Sequence, residues 1–396
     1  MQKLTASIVA GLAFAMLAAA PPARAETVKI GLILPYSGAF GRLGQTMDEA
    51  VKLWVKENGE NAGPHKIEVI RRDTGGPSPE VSKRLAQELI QRDGVKMLTG
   101  FVFTPEPIAV APLVTEVKMP LVIMNAATSM ITTTSPYITR VSLTLPQTTM
   151  ILGRWTATKG NMKRAYTSAS DYGPGIDAEG AFITGFTEAG GTIVGSVRVP
   201  LVNPDFVPFL QRILDQKPEA LYAFIPGGTQ PVAYVKAFNE VGLAKAGIKL
   251  MPSAEAVDEA DLQNLGDLAL GLITATHYTA GRKSPANDKF LAAWHAAYGN
   301  NSDPDLFAVG AWDGMALIYD VVKQLDGKID GDKAMSIIKG WKHESPRGPI
   351  SIDPETRDIV QNIYVTKTER VNGRLANVPM ETYEAVKDPG KERAKK

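Results

Sequence analysis

Val28-Lys29-Ile30-Gly31-Leu32-Ile33-Leu34-Pro35-Tyr36-Ser37-Gly38 is the stretch on which the fold turns. Seven residues, apolar but for Lys29, run without polar alternation and stop at Pro35, the pattern of a strand buried on both faces. Behind it, Leu43, Met47, Val51 and Trp54 recur at helical spacing until Asn58-Gly59. A fully buried strand followed by an amphipathic helix is the opening of a βαβ unit on a parallel sheet.

Working outward, the same unit repeats. Strands are predicted at 67–71, 96–101 and 121–125, with helices at 79–92 and 106–116 between them. A second series starts near Pro146, with strands at 165–169, 192–199, 220–225 and 248–251. Its helices are predicted at 175–189, 205–215 and 230–241, and Gly190-Gly191 stops the first of them. From His277 onward come helices at 287–298 and 305–325. A strand at 358–368 follows, with Asn372-Gly373 as a hairpin turn. The fold class is therefore α/β, with two doubly wound, Rossmann-like lobes. Periodicity leaves open whether these are tandem domains or lobes whose connections cross back.

The chain has 396 residues, enough for two domains. Its 43 basic and 42 acidic residues leave a net charge of +1, so no basic excess points to nucleic acid or an anionic membrane. The basic end at 391–396 is expected to be a solvated tail. At the start, Lys3, the apolar run from Thr5 to Ala20, Pro21-Pro22 and Ala23-Arg24-Ala25 make a signal peptide, 1–25, with cleavage expected after Ala25. The run is too short for a membrane span, and no later stretch is long and apolar enough for one. The expectation is an exported periplasmic protein with no membrane insertion.

Cysteine is absent, which excludes thiol nucleophiles and thiolate metal sites. His65, His277, His295 and His343 are far apart in sequence and form no zinc motif, so no metal is expected. Gly173-Pro174-Gly175-Ile176-Asp177-Ala178 matches a dinucleotide fingerprint, but the next strand ends at Val199-Pro200 without the acid that would hold a ribose. No cofactor is expected. Ser37 and the clustered threonines of the candidate loops have no nearby histidine, so nucleophilic catalysis has no base and the chain is read as no enzyme.

The chain from Val28 to about Tyr383 resembles the periplasmic leucine/isoleucine/valine-binding protein family, receptors of branched-chain amino-acid-type ABC importers. The resemblance is carried, in order, by 30–38 with Leu43-Gly44, Asp73-Thr74, Thr99-Gly100-Phe101-Val102-Phe103-Thr104 and Asn125-Ala126-Ala127-Thr128-Ser129. It continues with Asp171-Tyr172-Gly173-Pro174-Gly175, Pro226-Gly227-Gly228 and Ser253-Ala254-Glu255. It implies one lobe from 26–145 and 277–348, a second from 146–276 and 349–396, and a three-segment hinge. It also implies an ABC permease as membrane partner. A sensory protein of the same fold and a secreted α/β enzyme are the rival readings.

Open parallel sheets bind ligands beyond the carboxyl ends of their strands, where helix N-termini offer unpaired N–H groups. A small carboxylate is the natural guest. Thr104 and Thr128, with the backbone of Ala126, Ala127 and Thr128, are the candidate cradle. Their structural alternative is helix capping. Tyr172 is expected at the mouth of the second lobe, and the resemblance implies Gly227 and Glu255 on its ligand loops, with Glu255 either the partner of an ammonium or a solvated loop acid beside Asp258 and Glu259. Tyr36, Phe40, Phe101, Phe103 and Tyr172 lie on predicted site-facing loops and would suit an aromatic ring, though lobe packing competes for them. Segments 277–278, 285–287, 345–349 and 353–356 resemble a branch of the family associated with aromatic acids. Aromatic carboxylates and leucine-type amino acids both remain open as ligands.

Overall fold

The computed structural model describes residues 26–394. The expected signal peptide lies outside them. Strands β1 (Thr27–Leu34), β2 (Asn61–Ala62), β3 (His65–Asp73), β4 (Met97–Gly100), β5 (Leu121–Ile123) and β6 (Ile138–Arg140) form one sheet in the order β2-β3-β1-β4-β5-β6. All neighbours pair parallel except the short β2. A second sheet has β7 (Arg164–Ser170), β8 (Thr192–Val199), β9 (Ala220–Phe224) and β10 (Lys249–Pro252) in the parallel order β10-β9-β7-β8. The chain order thus reverses between β1 and β4 in one sheet and between β7 and β9 in the other. Each reversal opens a crevice at the carboxyl ends of its strands.

Helices α1 (Gly41–Asn58), α2 (Pro79–Glu88) and α3 (Pro105–Glu116) connect the first sheet. Leu43, Met47, Val51 and Trp54 of α1 are buried, as their spacing predicts. Helices α4 (Leu145–Ala157), α5 (Gly173–Glu188), α6 (Val207–Leu214), α7 (Gln230–Glu240) and α8 (Glu259–Leu265) serve the second. The segment that formally matched a dinucleotide fingerprint is the start of α5. A Cβ on Gly175 would come 2.0 Å from the carbonyl oxygen of Ser170. Gly44 bears the same relation to Pro35, at 1.9 Å. In both lobes the glycine lets a helix start tight against the end of its own strand.

The remainder comprises β11 (Ile273–Thr276), α9 (Pro285–Tyr298), α10 (Leu306–Gln324), α11 (Gly331–Ile338), β12 (Lys342–Ser345), β13 (Gly348–Ile352), β14 (Ile359–Val371), β15 (Arg374–Val386) and α12 (Pro389–Ala394). A third, antiparallel sheet runs β11-β14-β13-β12, with β15 on β14. Asn372-Gly373 closes the β14–β15 hairpin with both φ angles positive (49° and 83°), the primed turn its sequence calls for. Ile350, Ile352 and Ile359 join the core built on β1, α1 and α10, whereas Ile363 and Val365 join the core built on β7, β9 and α5. β14 therefore passes from one core to the other within a few residues.

Buried polar groups tie this passage down. Arg347, fully buried, bonds Asp313 (2.7–2.8 Å), the carbonyl of Ser142 (2.6 Å) and Gln361 (2.7 Å). Gln147 accepts from Gln361 (3.0 Å) and donates to the carbonyls of Ile359 (3.0 Å) and Val386 (2.7 Å).

The expected solvated tail is corrected in part. Residues 389–394 are helical, and Lys391 pairs with Asp358, an acid that also holds the buried Arg140. Asp358 is 1% exposed and would be left as a buried charge without its cations.

Candidate functional site

At the carboxyl end of β4 the chain turns out of the sheet abruptly. Gly100 (φ 102°) and Phe101 (φ 62°) are consecutive left-handed residues, and Phe101 is buried nevertheless. A bulky residue with positive φ is strained unless its surroundings hold it. Here the Phe101 N–H donates to Ile33 and its carbonyl accepts from Ala126, which locks the β1, β4 and β5 ends together. That lock delivers Val102 and Phe103 to the crevice and leaves Thr104 at the cap of α3.

Between the lobes lies a narrow cavity of about 40 Å³. The first lobe supplies Leu43, Val102, Phe103, Asn125, Ala127 and Phe307; Leu145 follows at the start of α4. The second supplies Tyr172, Pro174, Phe224, Pro226, Gly227 and Glu255. The walls are aromatic and aliphatic on both sides, with few polar groups, the usual make-up of a small-molecule site. A larger groove of about 660 Å³, lined in part by Trp155, Phe238 and Leu268, lies at the amino ends of β10 and β11. That is the opposite end of the strands from the crevices, so it is the smaller cavity that has the geometry of an α/β ligand site.

Thr104 and Thr128 are brought together: their hydroxyls lie 2.8 Å apart and both residues are buried. They sit beside Phe103 and Ala127 of the wall. Neither caps a helix with its side chain, so capping does not account for them. The N–H groups of Ala127 and Thr128 have no hydrogen-bond acceptor among the described residues. Across the cleft, a Cβ on Gly173 would stand 4.0 Å from the Thr128 hydroxyl, so the first turn of α5 faces this pair. The first turn of α5 has no acidic residue to answer its positive end. At α3, by contrast, the buried Glu106 accepts from the Phe103 N–H (3.2 Å) and occupies that helix start itself.

Glu255 lines the cavity from the loop after β10 and pairs with no basic side chain among the described residues. Burial pushes its carboxyl above the usual range. Burial likewise raises the Tyr172 hydroxyl, with Glu255 adding to the effect, and its ring lies 6.2 Å from that of Phe224.

Gly227 marks how closely the lobes approach. A Cβ there would fall 2.9 Å from the Phe307 ring and 3.1 Å from Leu43. Further contacts cross between lobes. The Ser129 N–H donates to Asp177 of α5 (2.8 Å), and Arg42 of α1 reaches Asp258 and Asp261 beside α8 (3.1 Å each).

Not every residue expected at the site reaches the cavity. Tyr36 is partly buried against the first core, its hydroxyl raised by burial and then by Asp48. Its N–H and the Ser37 hydroxyl bond Asp73 at 2.7 and 2.6 Å. The turn that follows β1 is thus organised around Asp73 rather than around a guest. Ala126 is packed in the core beneath α3, and its carbonyl accepts from Arg140 (3.1 Å). Phe101 is in the same core, and Phe40 stacks edge-on against Phe103 at 4.9 Å. Phe103 and Tyr172 alone of the five site-loop aromatics line the cavity.

Sequence reasoning missed Phe224, Leu145, Asn125 and Phe307. Phe224 and Asn125 end predicted strands, a position that could have flagged them. Phe307 arrives from α10, far along the chain from the Gly227 loop it meets, and carried no local signal.

Residues 27–373 match the family described as periplasmic binding protein. A Leu/Ile/Val-binding protein homolog 6 from Brucella melitensis is 42% identical over 373 residues, covering 94% of this chain and 95% of that protein. The solute-binding protein of an ABC transporter from Rhodopseudomonas palustris BisB5, solved with 3,4-dihydroxybenzoic acid, is 48% identical. Its TM-score is 0.88, with 92% of this chain and 99% of that one covered. The corresponding protein from Rhodopseudomonas palustris HaA2, solved with p-hydroxybenzoic acid, is 42% identical with a TM-score of 0.90, over 93% and 100% of the chains. Two doubly wound lobes around one apolar cleft, matched over almost their whole length, place this chain in the periplasmic binding protein family, among the solute-binding receptors of ABC importers.

Proposed function

We propose that this receptor closes on an aromatic carboxylate of the hydroxybenzoate class and hands it, chemically unchanged, to an ABC permease. The observation that carries the reading is the cavity wall itself: Phe103, Phe224, Tyr172 and Phe307 surround a slot next to paired hydroxyls and free amides. In this reading Thr104, Thr128 and the N–H groups of Ala127 and Thr128 hold the carboxylate, helped by the open first turn of α5. The rings hold the aromatic body. Glu255, with its carboxyl pushed toward the neutral form, suits a phenolic hydroxyl better than an ammonium, which needs a full negative charge. Relatives at 42–48% identity solved with hydroxybenzoates support the same ligand class.

The lobes in this proposal are 26–145 with 277–348 and 146–276 with 349–396, joined by three crossing segments, the last completed along β14. Cleavage after Ala25 would release the mature protein to the periplasm. Release without chemistry is supported by membership of the periplasmic binding protein family and by relatives that are solute-binding proteins of ABC transporters.

The test is a thermal-shift screen of the mature protein against 4-hydroxybenzoate, 3,4-dihydroxybenzoate, benzoate and leucine, with chromatographic recovery of the ligand. A rise in Tm for the aromatic acids and intact recovery are expected. A shift with leucine alone, or conversion of the acid, would overturn the reading.

A further inference from the structure

Where the two halves meet, Arg42 faces a surplus of buried acids. Arg42, in the first turn of α1, lies 3.1 Å from Asp258, 3.1 Å from Asp261 and 3.5 Å from Asp305. The three carboxylates are 0–5% exposed, and Arg42 is one-third exposed. Asp258 caps α8 by accepting from Ala260 and Asp261 (3.0 Å each); Asp305 caps α10 by accepting from Phe307 and Ala308 (2.9 Å each). The caps belong to different halves of the molecule. α1 and α10 share the first core, while Leu262 and Leu265 of α8 pack in the core of the second sheet. The cluster is therefore assembled only when the halves meet.

Resting on the closing-receptor reading above, we infer that Arg42 is a positioning residue that clasps the lobes shut, and that closing takes up protons because one guanidinium cannot neutralise the acids it gathers. The other groups facing the cluster strengthen the imbalance. Glu259 follows Asp258 and accepts from the Ala280 N–H (3.2 Å), and Glu255 lies on the preceding turn. Asp303, on the segment before α10, is engaged by His295 (2.8 Å) and Arg374 (3.2 Å). Arg282, another cation on this side, is turned toward Tyr364 (2.9 Å).

Burial and then Asp258 push the Asp261 and Asp305 carboxyls upward, against the opposing pull of Arg42. Burial and then Asp258 take Glu259 to about 8. Acids that bind protons more tightly when closed favour closing at low pH. That advantage fades as pH rises from the ordinary carboxylate range through the raised values of the closed form. Ligand affinity should therefore fall by about tenfold between pH 5.5 and 8, the equivalent of one proton's linkage over one shifted unit.

Calorimetric titration of 4-hydroxybenzoate at pH 5.5, 7 and 8, in buffers of different ionisation heat, measures both affinity and protons taken up. Its carboxylate stays ionised throughout that range. Wild type should show net uptake and a falling affinity. Asp261→Asn should flatten the profile, Arg42→Ala should weaken binding at every pH, and Arg42→Lys should restore part of it. A pH-independent affinity with no proton exchange would overturn the clasp while leaving the ligand reading intact. Failure of 4-hydroxybenzoate to bind at any pH would sink the ligand reading instead. The clasp is then decided on ligand-free protein by spin labels at Lys56→Cys and Asp215→Cys, introduced into a chain without native cysteine. A shorter inter-lobe distance at pH 5.5 than at pH 8 is expected; equal distances would refute it.

Discussion

Glu255→Gln separates the two ligand classes at a single side chain. The amide keeps the carboxyl's shape but removes any charge. For an anionic aromatic guest, the change relieves repulsion, so affinity for 4-hydroxybenzoate should stay within about threefold or improve, equivalent to under ~1 kcal/mol. For an α-amino acid, the ammonium would lose its counter-charge and binding would drop by orders of magnitude. Calorimetry with both ligands reads this out. Thr104→Val with Thr128→Val removes two donors from the opposite role. Each lost hydrogen bond to a charged group costs about 1.5–3 kcal/mol. The double variant should therefore bind 4-hydroxybenzoate at least a hundredfold more weakly while melting within a few degrees of wild type. At this scale the sequence was legible where a residue's neighbours fixed its role. Thr104 and Thr128 each follow a strand end and meet in space. Tyr36 and Ala126 sit on loops of the same kind, yet the ring of one packs against the first core while its N–H bonds Asp73, and the other packs under α3. Which way a loop side chain turns depends on contacts from distant chain, and spacing does not encode them.

Elements carry the closing movement, and Gly227 is where the second lobe's β9 loop meets α10. Gly227→Val would place methyl groups where the Phe307 ring and Leu43 already stand. The variant should fold normally but close incompletely, raising the dissociation rate of 4-hydroxybenzoate more than it lowers the association rate, as stopped-flow fluorescence would show. The hinge is held by a different device. Arg347→Met leaves Asp313 buried without its cation and frees the Ser142 carbonyl, so the loss should be about 3–5 kcal/mol in urea unfolding. The buried strands and amphipathic helices were legible because an unbroken apolar run or a repeated helical spacing marks them; the fully buried β9, predicted at 220–225, spans Ala220–Phe224. β6 is three residues long and β12 four, too short to show a period. β15 alternates intermediate and exposed positions along an edge, so its hydrophobic pattern is faint. Short or edge strands exist because a neighbouring strand pairs with them, and that neighbour lies elsewhere in the chain.

The whole molecule is two lobes with one chain threaded between them, and function depends on how they move against each other. The Ser129–Asp177 bond, the Arg42 cluster and the Gly227 contact all belong to a closed arrangement. A guest shifts the open–closed balance only by its greater affinity for the closed form, so closing and binding are one equilibrium. Solution scattering of the mature protein with and without saturating 4-hydroxybenzoate tests this most directly. A smaller radius of gyration with the ligand, and no change with an equal concentration of leucine, is the predicted result. An identical profile in both conditions, with calorimetry showing the ligand bound, would contradict a receptor that works by closing.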